Sequence, residues 1–314
     1  MGLAKSQGRL STEVGGLALA HPLMNGSGVL GSTRQQIGTM CSWGLAAVVT
    51  KTITQYPRSV SRPPNILYLR ELGALINSLG LPNPGVERIG ELVEEGRRCG
   101  LPVIVSVGGS SVEEYVRVAS AADEAGADAV ELNLSCPTTP GYGLDAASSP
   151  QLVYRIVREV SAVVRAPVIA KLGVSLRVGL LELAGKALEG GARALTLINS
   201  VEALAVDPEN LRIALSSSSM GYSGTPILYI GLRAVYEVFR EYGAEVIGCG
   251  GISSWRDAAS YVLAGARALQ VATALMLSRN PKAFVEELLK GLSSWLESRG
   301  FRSLRDAVGY IHRV

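Results

Sequence analysis

A short unit recurs along this chain and leaves few folds open to it. In Ser42-Trp-Gly-Leu-Ala-Ala-Val-Val-Thr-Lys51, Glu124-Ala-Gly-Ala-Asp-Ala-Val-Glu-Leu-Asn133, Glu189-Gly-Gly-Ala-Arg-Ala-Leu-Thr-Leu-Ile-Asn199 and Leu263-Ala-Gly-Ala-Arg-Ala-Leu-Gln-Val-Ala-Thr273, a glycine precedes a run of small and branched apolar residues. Glu241-Tyr-Gly-Ala-Glu-Val-Ile-Gly-Cys-Gly250 repeats it. The glycine stands where a helix ends in the left-handed conformation. The runs are too continuous for a half-solvated strand and suit strands buried on both faces of a parallel sheet. Two further strands follow a proline, in Leu101-Pro-Val-Ile-Val-Ser-Val107 and Ala166-Pro-Val-Ile-Ala-Lys-Leu172, and Pro22-Leu-Met-Asn25 supplies another. Residues 112–125 and 152–164 carry helical periodicity between them. Eight alternations of strand and helix predict one closed (β/α)8 barrel spanning residues 1–314, with 47% apolar residues to fill its core. The segment ending near Ala20 predicts a small hairpin closing the barrel bottom.

The connections are unequal. Turns from helix to strand are short, whereas three connections from strand to helix are long: 52 to about 86, 134–149, and 200 to about 226. In a barrel these emerge at the C-terminal face, where active sites sit, and long loops there predict a roof over one site. The polar residues at the strand ends converge on that face: Ser27, Lys51 with Thr52, Asn133, Lys171, Asn199 with Ser200, Gly250 with Gly251, and Thr273. Two inward lysines are costly to desolvate unless anionic groups meet them. Gly250-Gly-Ile-Ser-Ser254 runs into a helix starting near Ser254, so free backbone N–H groups and a helix N-terminus are expected there, the usual barrel position for a phosphate. Gly26-Ser-Gly-Val-Leu-Gly31 matches G-x-G-x-x-G, but the next strand ends in Thr50-Lys51 rather than in an acidic residue, which argues against a dinucleotide fingerprint.

Net charge is +3 with no basic block, which gives no footprint for nucleic acid. No apolar run approaches the ~20 residues of a membrane helix, so a cytoplasmic protein is expected. The four cysteines, Cys41, Cys99, Cys136 and Cys249, form no C-x-x-C pair, which disfavours a metal or iron–sulfur site in this chain and suits reduced thiols. Cys41, Cys99 and Cys249 read as buried small hydrophobes. Cys136 differs, because it lies just past a strand end and is followed by Pro137 and a loop rich in Gly, Ser and Thr. A thiolate nucleophile needs an activator. The two histidines, His21 near the barrel bottom and His312 near the C-terminus, are badly placed for that. A thiol acting as general base stays open.

At these residues the chain closely resembles the class 1 dihydroorotate dehydrogenases, the soluble flavin enzymes of pyrimidine synthesis. The resemblance covers nearly the whole chain, through Asn25-Gly-Ser-Gly28, Val48-Val-Thr-Lys-Thr52, Asn77-Ser-Leu-Gly-Leu-Pro-Asn-Pro-Gly85, Glu131-Leu-Asn-Leu-Ser-Cys-Pro137, Leu197-Ile-Asn-Ser200, Tyr222-Ser-Gly224 and Gly248-Cys-Gly-Gly-Ile252. It implies FMN across the barrel mouth, with its phosphate at Gly224, Gly250, Gly251, Ala272 and Thr273 and its ring or ribityl chain along Ser27, Lys51, Thr52, Ser106, Asn133 and Ile198. Lys171 would stabilise the flavin at N1/O2. Dihydroorotate would be held by Lys51, Asn77, Leu79, Gly80, Leu81, Asn133, Asn199 and Ser200, with Cys136 removing the C5 proton while hydride leaves C6.

The chain departs from the family where Thr138 follows Cys-Pro in place of asparagine, where Ser106 replaces an asparagine, and where Ala272 replaces glycine. The Leu81-Pro-Asn-Pro-Gly-Val-Glu87 stretch and the 201–215 loop are more similar to the NAD-linked subclass. That implies a partner subunit carrying FAD and a [2Fe–2S] cluster, in a heterotetramer, or else a homodimer. Two alternatives remain at this point: a flavin subunit of the dihydropyrimidine dehydrogenase type, and a non-redox barrel isomerase or lyase that places its substrate's phosphate in the same glycine site.

Overall fold

The computed structural model describes residues 8–28, 30–135, 149–175 and 178–314. Eight parallel strands form the central sheet in the order β3 (Leu23–Asn25), β16 (Ala266–Val271), β15 (Val246–Cys249), β10 (Ala194–Leu197), β9 (Val168–Leu172), β8 (Ala129–Asn133), β7 (Val103–Val107) and β4 (Val48–Val49). A parallel bridge between Met24 and Ala47 brings the last strand back to the first, completing the expected barrel. That seam is short, and a side chain extends it. Asn25 Oδ1 accepts from Val49 N (2.9 Å) and Asn25 Nδ2 donates to Val49 O (2.7 Å), so a fully buried carboxamide supplies the ladder bonds that β4 is too short to make.

The strands are buried along almost their whole length, and helices cover their outer face. A hairpin of β1 (Thr12–Val14) and β2 (Leu17–Leu19) closes the bottom, where Val14, Leu17 and Leu19 join Met24, Ala47, Val49 and Ile104 in a second apolar cluster. His21 is buried beside that hairpin. Burial pushes its pKa down, and Gly44 O and Leu23 N take its ring nitrogens, so it belongs to the scaffold.

The roof is more ordered than loops alone. Segments from two of the long connections build a four-stranded antiparallel sheet, β11 (Val201–Ala203), β14 (Met220–Gly224), β6 (Ala74–Asn77) and β5 (Ile66–Leu69), while β12 (Val206–Asp207) and β13 (Arg212–Ile213) form a separate small hairpin. Asn83 ties the root of the first connection together. Its Oδ1 accepts from Thr54 N and Gly85 N, and its Nδ2 donates to Thr54 Oγ1 and Leu81 O. Most of the third connection, residues 136–148, lies outside the described residues, and with it Cys136 and Thr138.

Two cysteines depart from the expectation of buried thiols. Cys41 ends the helix Arg34–Cys41, Cys99 caps the neighbouring helix Ile89–Arg98, and the two are joined in a disulfide with Cα atoms 6.1 Å apart. The two helices are adjacent in the outer layer and end on the same side, which brings residues 58 positions apart within bridging reach. Cys99 is exposed, whereas Cys249 is buried as expected. No helix among the described residues is long and apolar enough to cross a membrane.

Candidate active site

The strand ends and the roof sheet enclose a cavity of about 290 Å³ at the C-terminal mouth. Ser27, Lys51, Thr52, Asn77, Leu79, Leu81, Asn133, Lys171, Ile198, Asn199, Ser200, Gly224, Gly250, Gly251, Ala272 and Thr273 all line it, so residues spread over most of the sequence meet in one place. The register of the parallel strands does this: Asn133 stands beside Lys171 across β8 and β9, and both strands end at the same level. Asn77 is the last residue of a roof strand, paired with Gly221, and hangs over the cavity with Nδ2 donating to Gly221 O (3.3 Å).

A chain of carboxamides and hydroxyls crosses one wall. Asn199 Nδ2 donates to Asn133 Oδ1 (3.0 Å) and Ser135 Oγ (3.3 Å), and Asn133 Nδ2 donates to Thr52 Oγ1 (2.9 Å). Thr52 Oγ1 in turn lies 3.0 Å from Ser106 Oγ. Ser106 is fully buried and does not line the cavity, so it bears on a ligand there only through Thr52. Gly80 also stays off the cavity wall; its carbonyl takes Arg58 Nε (3.1 Å) and holds the loop that carries Leu79 and Leu81. Leu81 has φ 56°, the left-handed region that costs an L-residue about 1–2 kcal/mol, and the Asn83 contact to its carbonyl holds it there.

The opposite end is built from glycines. Gly224, Gly250 and Gly251 have φ of 102°, 115° and 75°, and a Cβ on Gly224 or Gly251 would stand 2.3 Å from Gly73 O or 2.6 Å from Leu228 N. No side chain fits there, which leaves the backbone itself to face a ligand. The N–H groups of Gly251 and Thr273 engage no acceptor among the described residues. The helix start beside them differs from expectation: Ser254 caps Trp255–Ala264 in a capping box, and Asp257 Oδ2 accepts from Ser253 N (3.0 Å) and Ser254 N (2.8 Å). A carboxylate of the chain already holds those two donors, so an anion is left to the glycine turn and the Ala272–Thr273 corner.

Tyr261, which the sequence did not single out, braces the glycine turn from beneath. Its buried hydroxyl donates to Cys249 O (3.1 Å) and Gly250 O (2.7 Å), and burial pushes its pKa well up. Gly231 leaves room for it, since a Cβ there would meet the Tyr261 hydroxyl. For the FMN that the resemblance implies at this turn, Tyr261→Phe is expected to weaken binding by about tenfold, the equivalent of one unmade buried hydrogen bond of ~1.4 kcal/mol. Fluorescence titration of FMN into the flavin-free variant checks it, and an unchanged Kd would remove Tyr261 from that role.

Cations stand at the floor and the rim. Lys171 is 3% exposed, and its Nζ donates to Gln270 Oε1 (2.7 Å) and Ser27 Oγ (3.4 Å). Lys51 Nζ reaches Gly28 O (2.9 Å) across the first barrel loop. Cys249 faces the same floor as a neutral thiol, because burial pushes its pKa up against the pull of Lys171. A flat ligand with an anionic tail fits these surfaces: apolar Leu75, Ile198 and Ile227 to either side, a lysine below, and at one end the amides of Gly251 and Thr273, which have no acceptor among the described residues.

A (β/α)8 barrel with its chemistry-bearing side chains on the strand ends, a roof sheet over them and an anion corner after the last two strands is a barrel enzyme of the class whose site is the C-terminal mouth. Within that class the chain belongs to the dihydroorotate dehydrogenase family, whose model matches residues 9–296. It is 40% identical over 310 residues to the putative dihydroorotate dehydrogenase A (fumarate) of Aeropyrum pernix, covering 98% of this chain and 99% of that one. It is 41% identical over 306 residues to the dihydroorotate dehydrogenase B (NAD(+)) catalytic subunit of Pyrococcus horikoshii, covering 97% of this chain and 98% of the other. The crystal structure of DHODH from Eimeria tenella in complex with ferulenol superimposes with a TM-score of 0.82 over 98% of this chain and 89% of that one; at 22% identity it speaks for the fold alone.

Proposed function

We propose that this chain oxidises dihydroorotate to orotate in pyrimidine synthesis, with FMN bound at the barrel mouth. The observation that carries the reading is the cavity itself: a buried lysine below, a wall of linked carboxamides, and a glycine corner of open amides, all under one roof in a chain of this family. FMN, when bound, supplies the acceptor for the hydride that leaves C6 of the substrate.

The chain's own residues do the rest. Gly224, Gly250, Gly251, Ala272 and Thr273 hold the phosphate, Thr273 with its hydroxyl oriented by Ser223 Oγ at 2.9 Å. Ser27, Thr52, Asn133 and Ile198 would line the ring and ribityl chain, and Lys171, at the cavity floor, would supply a cation to offset negative charge on the ring. Asn77, Asn133, Asn199 and Ser200 orient the substrate, and the Asn199–Asn133 bond fixes which face each carboxamide presents. Lys51 offers its cation to the substrate carboxylate. Leu79 and Leu81 cover the substrate and exclude water. Cys136, outside the described residues, is the base that takes the C5 proton.

Electrons pass onward to NAD through a partner subunit with FAD and a [2Fe–2S] cluster, a reading supported by relatives named as the catalytic subunit of the NAD(+) enzyme. The working unit is a homodimer or a heterotetramer with that subunit, in the cytoplasm. The purified chain is expected to be yellow, and under anaerobic conditions dihydroorotate is expected to bleach its flavin band while dihydrouracil, which lacks the carboxylate, leaves it unchanged. A colourless chain that FMN cannot reconstitute overturns the reading, as does bleaching by dihydrouracil alone.

A further inference from the structure

Glu131 is a charged residue that the cavity does not expose. It stands in the middle of β8, fully buried in the barrel interior. Its Oε2 accepts from Thr196 Oγ1 (2.9 Å) and from Gln270 Nε2. Its Oε1 accepts no hydrogen bond among the described residues and faces Lys171 Nζ at 3.6 Å. Gln270 closes the triangle, donating to Glu131 from one end of its carboxamide and accepting from Lys171 at the other.

The donors and acceptors of this cluster suit a carboxylate facing an ammonium. An amide N–H and the Lys171 side chain reach Glu131 as donors, and the Thr196 hydroxyl is free to donate to it as well. A proton on Oε1 would point at Lys171, itself a donor, and find no acceptor. Lys171 in turn has acceptors in Gln270, Ser27 and the open Glu131 oxygen. The geometry is that of an ion pair, with Lys171 Nζ 3.6 Å from the open Glu131 oxygen. The other titratable groups that approach leave it so. Cys249 on β15 is held neutral by burial, Tyr261 beneath it is neutral, and Lys51 reaches Gly28 at the rim.

A buried carboxylate is costly, and a barrel that needed only a cation under its ligand would be better without it. Its use lies in the oxidised state. Before reduction no negative charge stands over Lys171, and a buried lysine without a counter-ion tends to shed its proton. We propose that Glu131 is a positioning residue for the redox chemistry, holding Lys171 charged in both oxidation states so that flavin reduction takes up one proton rather than two. The balance is explicit: two electrons and one proton enter the ring as hydride, the ring gains one negative charge, and Lys171 and Glu131 keep the protonation they began with. Without the Glu131 charge, Lys171 enters the cycle neutral and binds a second proton as the ring becomes negative.

The proposal rests on the flavin reading above, and its test separates the two. The midpoint potential of bound FMN is measured against pH across the neutral range, in the unmodified holoprotein and in Glu131→Gln. The slope reports protons taken up per two electrons, since each proton makes the couple respond to a tenfold change in acidity. One proton per two electrons is expected for the unmodified protein, and a slope twice as steep for the variant. An unchanged slope in a variant that binds FMN overturns the role of Glu131 and leaves the flavin reading intact, whereas failure of the unmodified chain to bind FMN overturns that reading. Should Glu131→Gln not fold, the unmodified protein still decides: photoreduction in weak buffer with a pH-indicator dye is expected to consume one proton per flavin, and two would overturn the proposal. A merely structural carboxylate would leave the slope of the variant equal to that of the unmodified protein.

Discussion

Cys136→Ala is expected to bind FMN and orotate as the unmodified chain does, yet to reduce its flavin with dihydroorotate about 10²–10⁴-fold more slowly, the usual contribution of a positioned general base. The separation of effects is the point. In the proposed reading flavin and substrate would be held by the strand ends, the glycine corner and the roof, all of which lie among the described residues that line the cavity, so binding is expected to survive loss of the thiol. Proton removal from C5 does not, because no other described group at the mouth is a suitable base: Lys51 and Lys171 are cations, and Asn77, Asn133 and Asn199 are carboxamides. Stopped-flow reduction of the bound flavin under anaerobic conditions reads the result directly. A rate within a few-fold of the unmodified protein would take Cys136 out of the mechanism.

Lys171→Met should be the most destabilising single change at the floor of the cavity, by about 3–5 kcal/mol, because it strands the Glu131 carboxylate in the barrel interior without its cation. Against a total stability of about 5–15 kcal/mol this is a large loss. The physical origin is the unpaired charge and not the lost packing, since methionine fills much of the lysine's volume. Glu131→Gln in the same chain should therefore restore most of it, leaving the double variant more stable than Lys171→Met alone. Denaturant unfolding of the three flavin-free proteins measures the cycle. Equal losses in the single and double variants would mean that the pair does not carry the effect.

Much of the fold was legible in the order of residues, and the reason is physical. Strands buried on both faces admit only apolar runs, and each helix before them ends at a glycine, so β8, β10 and β16 announce themselves within ten residues. The polar residue that stops each run marks the strand end, and in a parallel barrel all strand ends face one way. That is why the sequence alone places Lys51, Asn133, Lys171, Asn199 and Thr273 at one mouth, where the structure has them. The capping box Ser254-x-x-Asp257 was also in plain sight, but read as a bare helix start it suggested donors that Asp257 in fact occupies.

Other features depended on contacts that no local pattern carries. The roof strand β6 pairs with β14, joining Asn77 to Gly221 144 positions away, and nothing in either segment names the other. Cys41 and Cys99 looked like ordinary buried thiols until two outer helices were laid side by side. Glu131 gave a signal that went unused, a carboxylate inside the apolar run Ala-Val-Glu-Leu, where only a buried partner could justify it.

The sequence by itself determined the barrel, the direction in which its strands end and the set of side chains that reach the mouth, because these follow from periodicity, glycine stops and strand polarity over short spans. Only the tertiary structure decided what stands beside each of them. Gln270 lies 139 residues from Glu131 and 99 from Lys171, and it is the closure of eight strands into a ring that turns these three into one hydrogen-bonded cluster. Burial then does what sequence cannot: it removes water from around a lysine and a glutamate and makes each answer to the other.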